Sequence, residues 1–113
     1  MQYRKLNRET RIRRSILSNL TRTVIMNGKV KTTDARAKEV SKFVDKMITY
    51  AKKGDLTSRR KVLAFFENDN EVTKKLFDEL SNTYKDRNGG YTRIIKLNER
   101  IGDDALIVSL ELV

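Results

Sequence analysis

The side chains that recur in this sequence with a common chemistry are cations. Between Arg4 and Lys31 stand nine of them, Arg4, Lys5, Arg8, Arg11, Arg13, Arg14, Arg22, Lys29 and Lys31, against one acid, Glu9. A solvated helix face normally mixes signs, whereas a run of one sign suits a polyanion, because guanidinium forks grip phosphate oxygens bidentately. Ser15 and Ser18 lie among the arginines, and their small side chains leave room for a sugar-phosphate backbone to approach. A second cluster, Ser58-Arg59-Arg60-Lys61, falls at the start of a helix. Cations there oppose the helix dipole by ~0.3–1 kcal/mol each. Function is one reason for such a run; partial compensation by Glu67 and Asp69 is the other. A third cluster runs Arg87-Asn88-Gly89-Gly90-Tyr91-Thr92-Arg93. Two glycines permit unusual backbone angles and close approach of a phosphate, and Tyr91 is placed to stack on a base or sugar. The same residues also read as a tight turn into a strand, with Tyr91 packed on the helices.

Catalytic chemistry finds little material. The chain has no Cys, His, Pro or Trp, which removes thiol nucleophiles, disulfides, the common metal ligands and the usual general base. The carboxylate pairs Asp78-Glu79 and Asp103-Asp104 do not assemble a site, since adjacent acids on a helix diverge and those in the loop have no partner ligands nearby. No enzymatic activity, metal, cofactor or small-molecule substrate is expected.

With 113 residues the chain suits a single domain. Its formal charge of +10 is unevenly spread, +13 over residues 1–61 and −3 over 62–113, which assigns a polyanionic partner to one part of the molecule. No apolar run approaches the ~18 residues of a membrane span, and no membrane association is expected. An Arg-rich start also fits a mitochondrial transit peptide, but the same segment carries an apolar stripe suited to a core.

Periodicity and punctuation place the elements. Ile12, Ile16, Leu17, Leu20 and Val24 recur at helical spacing between about Arg8 and Met26, and Asn27-Gly28 is a C-terminal stop. At ~100° per residue, Arg8, Arg11, Arg14 and Arg22 lie opposite that stripe. Arg13 falls on the apolar side, so the first helical turn is expected to project beyond the core, with residues 1–14 forming a basic extension. Lys29-Val30-Lys31-Thr32 reads as an edge strand guarded by lysines. Thr32 or Thr33 caps a long helix that buries Val40, Phe43, Val44, Met47, Ile48 and Ala51 and ends at Gly54. A third helix, about Thr57 to Glu67, buries Val62, Leu63 and Phe66. A fourth, capped by Asp69 or Asn70, buries Val72, Leu76, Phe77 and Leu80. Tyr91 to Leu97 and Ala105 to Val113 alternate as strands around a hairpin loop, Asn98 to Asp104. The expected fold is α+β in two layers, helix-strand-three helices-two strands, with a small mixed sheet covered by helices on one face.

In this order the segments resemble the bacterial family of large-ribosomal-subunit protein seventeen over essentially the whole chain. The match is carried by Tyr-Arg-Lys-Leu-Asn-Arg at 3–8, Asn19-Leu20, Lys-Thr-Thr at 31–33, Arg-Ala-Lys-Glu at 36–39, Ser-Arg-Arg at 58–60, Arg-Asn-Gly-Gly-Tyr-Thr-Arg-Ile-Ile-Lys at 87–96, Gly102-Asp103 and the closing Glu-Leu-Val. The resemblance implies a cytoplasmic structural component of the large subunit. It implies that the component binds 23S-type ribosomal RNA, lies near the polypeptide exit region, touches neighbouring ribosomal proteins and forms no homo-oligomer. Three positions depart from the family's usual pattern: Ile12 stands for His, Asn7 for Gly, and Ala105-Leu106 for Ala-Pro. Arg4, Lys5, Arg8, Arg11, Arg13, Arg14 and Arg22 are the expected principal phosphate contacts. Lys31, Arg36, Lys38, Arg59, Arg60, Arg87, Gly89, Gly90, Tyr91 and Arg93 are the supplementary RNA-binding set. Phosphate contacts alone do not separate the nucleic acids, so a DNA-compacting nucleoid protein is the alternative. A small RNA-acting enzyme or a membrane-surface helix is less favoured.

Overall fold

Residues 2–27 contain neither glycine nor proline, and in the computed structural model they form one helix, α1 (Gln2–Asn27). The structure describes the backbone of residues 2–99 and 106–113, and side chains over 10–97 and 106–113. The helix starts six residues before the expected Arg8 and stops at Gly28, whose φ of +85° is a left-handed value that glycine adopts without strain. The Gly28 N–H donates to the Val24 carbonyl at 2.8 Å, and its carbonyl accepts from Leu112 N at 2.9 Å.

Strand β1 (Lys29–Thr33) leads directly into α2 (Asp34–Lys53). Thr33 is the N-cap in extended backbone but makes no side-chain cap. Asp34 in the first turn and Lys52 and Lys53 in the last complement the helix dipole instead. Gly54 closes α2 in the left-handed conformation, donating to Tyr50 O at 3.0 Å. Helix α3 (Leu56–Phe65) is capped by Asp55, whose carboxylate accepts from Ser58 N at 2.8 Å. The last helix is capped by Asp69, which accepts from Glu71 N and Val72 N. It runs as α4 (Asn70–Lys75), a π-helical turn (Leu76–Leu80) and a final short turn, α5 (Ser81–Thr83). Four residues of α-helix overshoot a full turn by roughly 40°. Slower winding in the π turn offsets that drift, and Leu76, Leu80 and Tyr84 all reach the core.

Strands β2 (Thr92–Glu99) and β3 (Leu106–Leu112) complete the sheet in the order β1-β3-β2. Both pairings are antiparallel, with Val30 opposite Leu110 on one side and Ile94 opposite Leu110 on the other. The expected mixed sheet is therefore corrected: β3 returns between β1 and β2 and runs opposite to both, so the two parallel strands never touch. The register shifts between Lys96 and Asn98. The expected hairpin loop begins inside β2, and its remainder lies outside the described residues.

Helices cover one face of the sheet. Val108 and Leu110 are fully buried under them, Leu106 and Leu112 pack against the same core, and Ile95 and Leu97 are exposed. Val24, Ile25, Val40, Val44, Ile48, Val62, Val72 and Leu76 are fully buried in the helical layer. Two expectations change. The buried stripe of α1 is Leu17, Thr21, Val24 and Ile25, with Ile16 and Leu20 half-buried, while Ile12 is 59% exposed. Among the described residues, full burial of α1 begins only at Leu17. Buried Thr21 satisfies its hydroxyl by donating to the Leu17 carbonyl at 2.7 Å. Leu63, Phe43 and Phe77 are half-buried rather than central. Because Leu110 is fully enclosed in the middle strand, Leu110→Ala is expected to cost ~2–5 kcal/mol, read as a lower urea midpoint at unchanged m value.

Candidate nucleic-acid interface

The outward arc of α1 presents Arg11, Arg14 and Ser15, all exposed. Ser18 fixes this helix to the end of α3 by donating its hydroxyl to Phe65 O at 3.1 Å. Two arginines of the same helix are engaged elsewhere. Arg13 pairs with Glu39 of α2 at the surface. Arg22 Nε donates to Asp69 Oδ2 at 2.6 Å and the guanidinium lies 3.6 Å from Glu71. The Asp69 carboxylate thus caps α4 and holds α1 at once. The Arg22 hydrogen bond, aided by the Val72 and Glu71 amides and opposed by burial, keeps the Asp69 carboxyl below its ordinary range. The same pair raises the Arg22 value. Arg22 is therefore a residue that seats α1, not a free phosphate ligand.

On α2, Arg36 and Lys38 are exposed, and Lys38 pairs with Asp34 one turn back at 3.1 Å. Lys42 and Lys46 continue the spacing of Lys38 at four-residue steps and are also exposed. Sequence reading passed over these two, although their i, i+4 period was the available signal. At the start of α3, Arg59 and Arg60 are exposed, with the Arg59 guanidinium 5.1 Å from the Phe77 ring centroid and Lys61 5.4 Å from that of Tyr50. The compensating anion for this cationic turn is Asp55 at the N-cap, whose carboxyl is lowered chiefly by Ser58. Of the expected compensators, Asp69 is given to Arg22. Lys31 lies exposed on the edge strand β1, and exposed Arg93 of β2 faces Glu111 of β3 at 3.3 Å.

The Gly-Gly-Tyr segment is built inward. Tyr91 is 2% exposed, and its ring meets Tyr84 edge-on with centroids 5.2 Å apart. Its hydroxyl donates to Arg87 O at 3.2 Å and accepts from Lys52 Nζ at 3.0 Å, and Lys52 also reaches the Arg87 carbonyl. Burial pushes the phenol up, but the Lys52 hydrogen bond and nearby donors outweigh it and leave the value lowered. The Tyr91 N–H donates to Asp45 Oδ1 at 3.3 Å, and burial raises the Asp45 carboxyl. The Tyr91 carbonyl accepts from Val113 N, whose carbonyl takes the Tyr84 hydroxyl, each at 2.9 Å. Stacking of Tyr91 on a base is thus corrected, because the ring is enclosed by α2 and the end of the last helix. Gly89 and Gly90, with φ of +80° and +63°, are exposed and make the turn that allows this inward fold. Arg87, also exposed, closes the turn by donating to Gly90 O at 3.1 Å.

Arg4, Lys5 and Arg8 lie on α1, and their side chains are outside the described residues. Among the described residues, no carboxylate pairs with Arg11, Arg14, Lys31, Arg36, Arg59 or Arg60. No group of three or more acidic, His or Cys side chains is placed to hold a metal ion among them, and no described helix is long and apolar enough to cross a membrane.

These features define a small basic α+β protein built around one cation-bearing helix. The chain belongs to the ribosomal protein L17 family, whose family model matches residues 16–113. It is 52% identical to the large ribosomal subunit protein bL17 of Ligilactobacillus salivarius, covering all of this chain and 99% of the relative. It is 53% identical to the protein of that name from Thermoanaerobacter sp., with both chains covered end to end. With the Clostridium acetobutylicum protein it shares 54% identity, over 98% of this chain and 96% of the relative.

The Asp69 geometry has a pH signature. A carboxyl held below its unfolded value contributes stability that is complete above that value, about 3.9, and is lost as pH falls through the lower folded value. Replacing Asp69 by Asn is expected to lower the urea midpoint near neutrality. The gap to the parent chain should shrink below about pH 4, as measured by fluorescence-monitored denaturation across the acid range.

Proposed function

We propose that this chain is a non-catalytic structural component of the large ribosomal subunit in the bacterial cytoplasm. In this reading it binds 23S-type ribosomal RNA, near the polypeptide exit region and beside other ribosomal proteins. The observation that carries the reading is the set of exposed arginines on α1, α2 and α3, namely Arg11, Arg14, Arg36, Arg59 and Arg60, that have no carboxylate partner among the described residues. Cations left unpaired in a folded protein repel one another unless a polyanion supplies the counter-charge. The relatives' shared name, large ribosomal subunit protein, supports RNA over DNA as that polyanion.

Residues 1–14 are read as a basic extension of α1 that reaches from the body into RNA, carrying Arg4, Lys5 and Arg8 beside Arg11 and Arg14. Arg13, Lys38 and Arg93 sit in exposed ion pairs, which are worth at most ~1 kcal/mol, so these side chains exchange a carboxylate for a phosphate at little cost. Arg87, Gly89, Gly90 and Tyr91 contribute by shaping a turn, with the Arg87 guanidinium at its surface. Arg22 holds the helix that presents the others.

If six to ten cations meet phosphates, affinity for RNA is expected to fall by ~10³–10⁵ between about 50 and 200 mM salt, on the rule for duplex DNA. Replacing Arg8, Arg11 and Arg14 together by Ala should weaken RNA binding and incorporation into large subunits while leaving the thermal midpoint nearly unchanged. Unaltered incorporation, measured by sedimentation of subunits from cells carrying the triple variant, would exclude this site.

A further inference from the structure

We propose that the trough between α1 and the end of α3 holds one unpaired nucleotide of the bound RNA, with its phosphate at Arg11 and Arg14 and its base towards Glu67. The proposal rests on the RNA-binding reading above and assigns part of that contact to a shaped site rather than to charge alone. Two hollows of about 600 and 400 Å³ run along the exposed side of α1 and share Ser15, Ser18 and Glu67 as walls, so they form one continuous trough. The larger falls in the ~300–1,000 Å³ range that small ligands fill. Small residues three apart on one helix face, Ser15 and Ser18, keep it open. Ser18 is already committed to Phe65 O and holds the two walls together.

The trough offers a nucleotide cations for its phosphate and a carboxylate for its base. Arg11 and Arg14 stand at one end, without carboxylate partners among the described residues. Where the two hollows meet is the exposed carboxylate of Glu67, an acceptor for the amino and imino donors of a base edge or for a 2′-hydroxyl, and beyond it the Arg22–Asp69 ion pair closes the trough. Phe65 forms an apolar wall, its ring stacked on Phe43 at 5.3 Å and edge-on to Phe66 at 4.8 Å between centroids, so the surface offered to a base is rigid. Glu67 and the next residue, Asn68, both have positive φ, 54° and 65°, a conformation that non-glycine residues seldom adopt. That turn brings the carboxylate to the rim. A paired base is turned into its own duplex and does not present its edge to the trough, so the occupant is an extruded or single-stranded nucleotide.

The test uses the full chain and fluorescence anisotropy, with single-stranded RNA homo-oligonucleotides of A, C, G and U compared with an RNA duplex of equal charge at one salt concentration. Ser15→Leu fills the trough while keeping charge, and leucine is the better helix former, so α1 is not weakened. It should lower single-strand affinity by about tenfold, the scale of one base contact, and leave duplex affinity unchanged. Glu67→Gln should alter the order of preference among the four bases without changing duplex binding. Circular dichroism checks that both variants keep the parent fold. The proposal is overturned if folded Ser15→Leu binds single strands as the parent does or loses duplex binding equally. It is also overturned if Glu67→Gln leaves the base order intact. Should the parent chain bind neither RNA form, the broader RNA-binding reading fails instead.

Discussion

The seating of the second half of α1 is the constraint on which the remaining surface depends. Val24 and Ile25 are fully buried there, and the turn at Gly28 is tied to the last strand by Leu112. The seat is also locked by polar groups from the last helix. Arg22 reaches Asp69, and Lys75 Nζ donates to Met26 O at 2.8 Å near the C-terminus of α1, where an ammonium complements the helix dipole. Removing apolar surface from water supplies most of the adhesion, while the ion pair and the lysine fix the rotation of the helix. That rotation decides which arginines face outward.

Charge separation within the fold follows from this arrangement. The acids of the second half of the sequence are not a uniform counterweight to the basic half. Asp69 neutralises one arginine and caps a helix, and Glu111 balances Arg93 across the sheet, while Asp45 of the basic half receives the Tyr91 amide. Each is spent on a local structural task, and the arginines of the exposed arcs are left without intramolecular partners among the described residues. A folded body that satisfies its buried polar groups while leaving several surface arginines unpaired, among the described residues, is suited to a partner that brings negative charge, which agrees with the family to which the chain belongs.

Much of the fold was legible from the residues because its signals are local. Helix stops at Gly28 and Gly54, the cap at Asp69 and the alternation of β3 all depend on neighbours within one turn or one strand. Errors arose where the deciding contacts are distant. Ile12 matches the periodicity of a buried residue but extends past the elements that bury Leu17. The sheet was expected to be mixed because pairing order is not encoded in alternation. Tyr91 beside two glycines reads equally as a stacking platform or a packed ring, and only Lys52, Tyr84 and Asp45, remote in sequence, choose between them. The π turn after Lys75 left no signal in the apolar pattern, since Leu76 and Leu80 are four apart in either kind of helix.

By itself the sequence determined the elements, their order, the excess of positive charge in the first half and the absence of thiol and imidazole chemistry, because composition, caps and periodicity act over a few residues. Tertiary structure alone decided which cations are free. Arg13 is separated from Glu39 by 26 residues and Arg22 from Asp69 by 47; helical spacing sets Arg13 apart from Arg11 and Arg14 but names no partner for it, and no local pattern distinguishes Arg22 from them. The fold brings carboxylates to the first pair and a trough to the second.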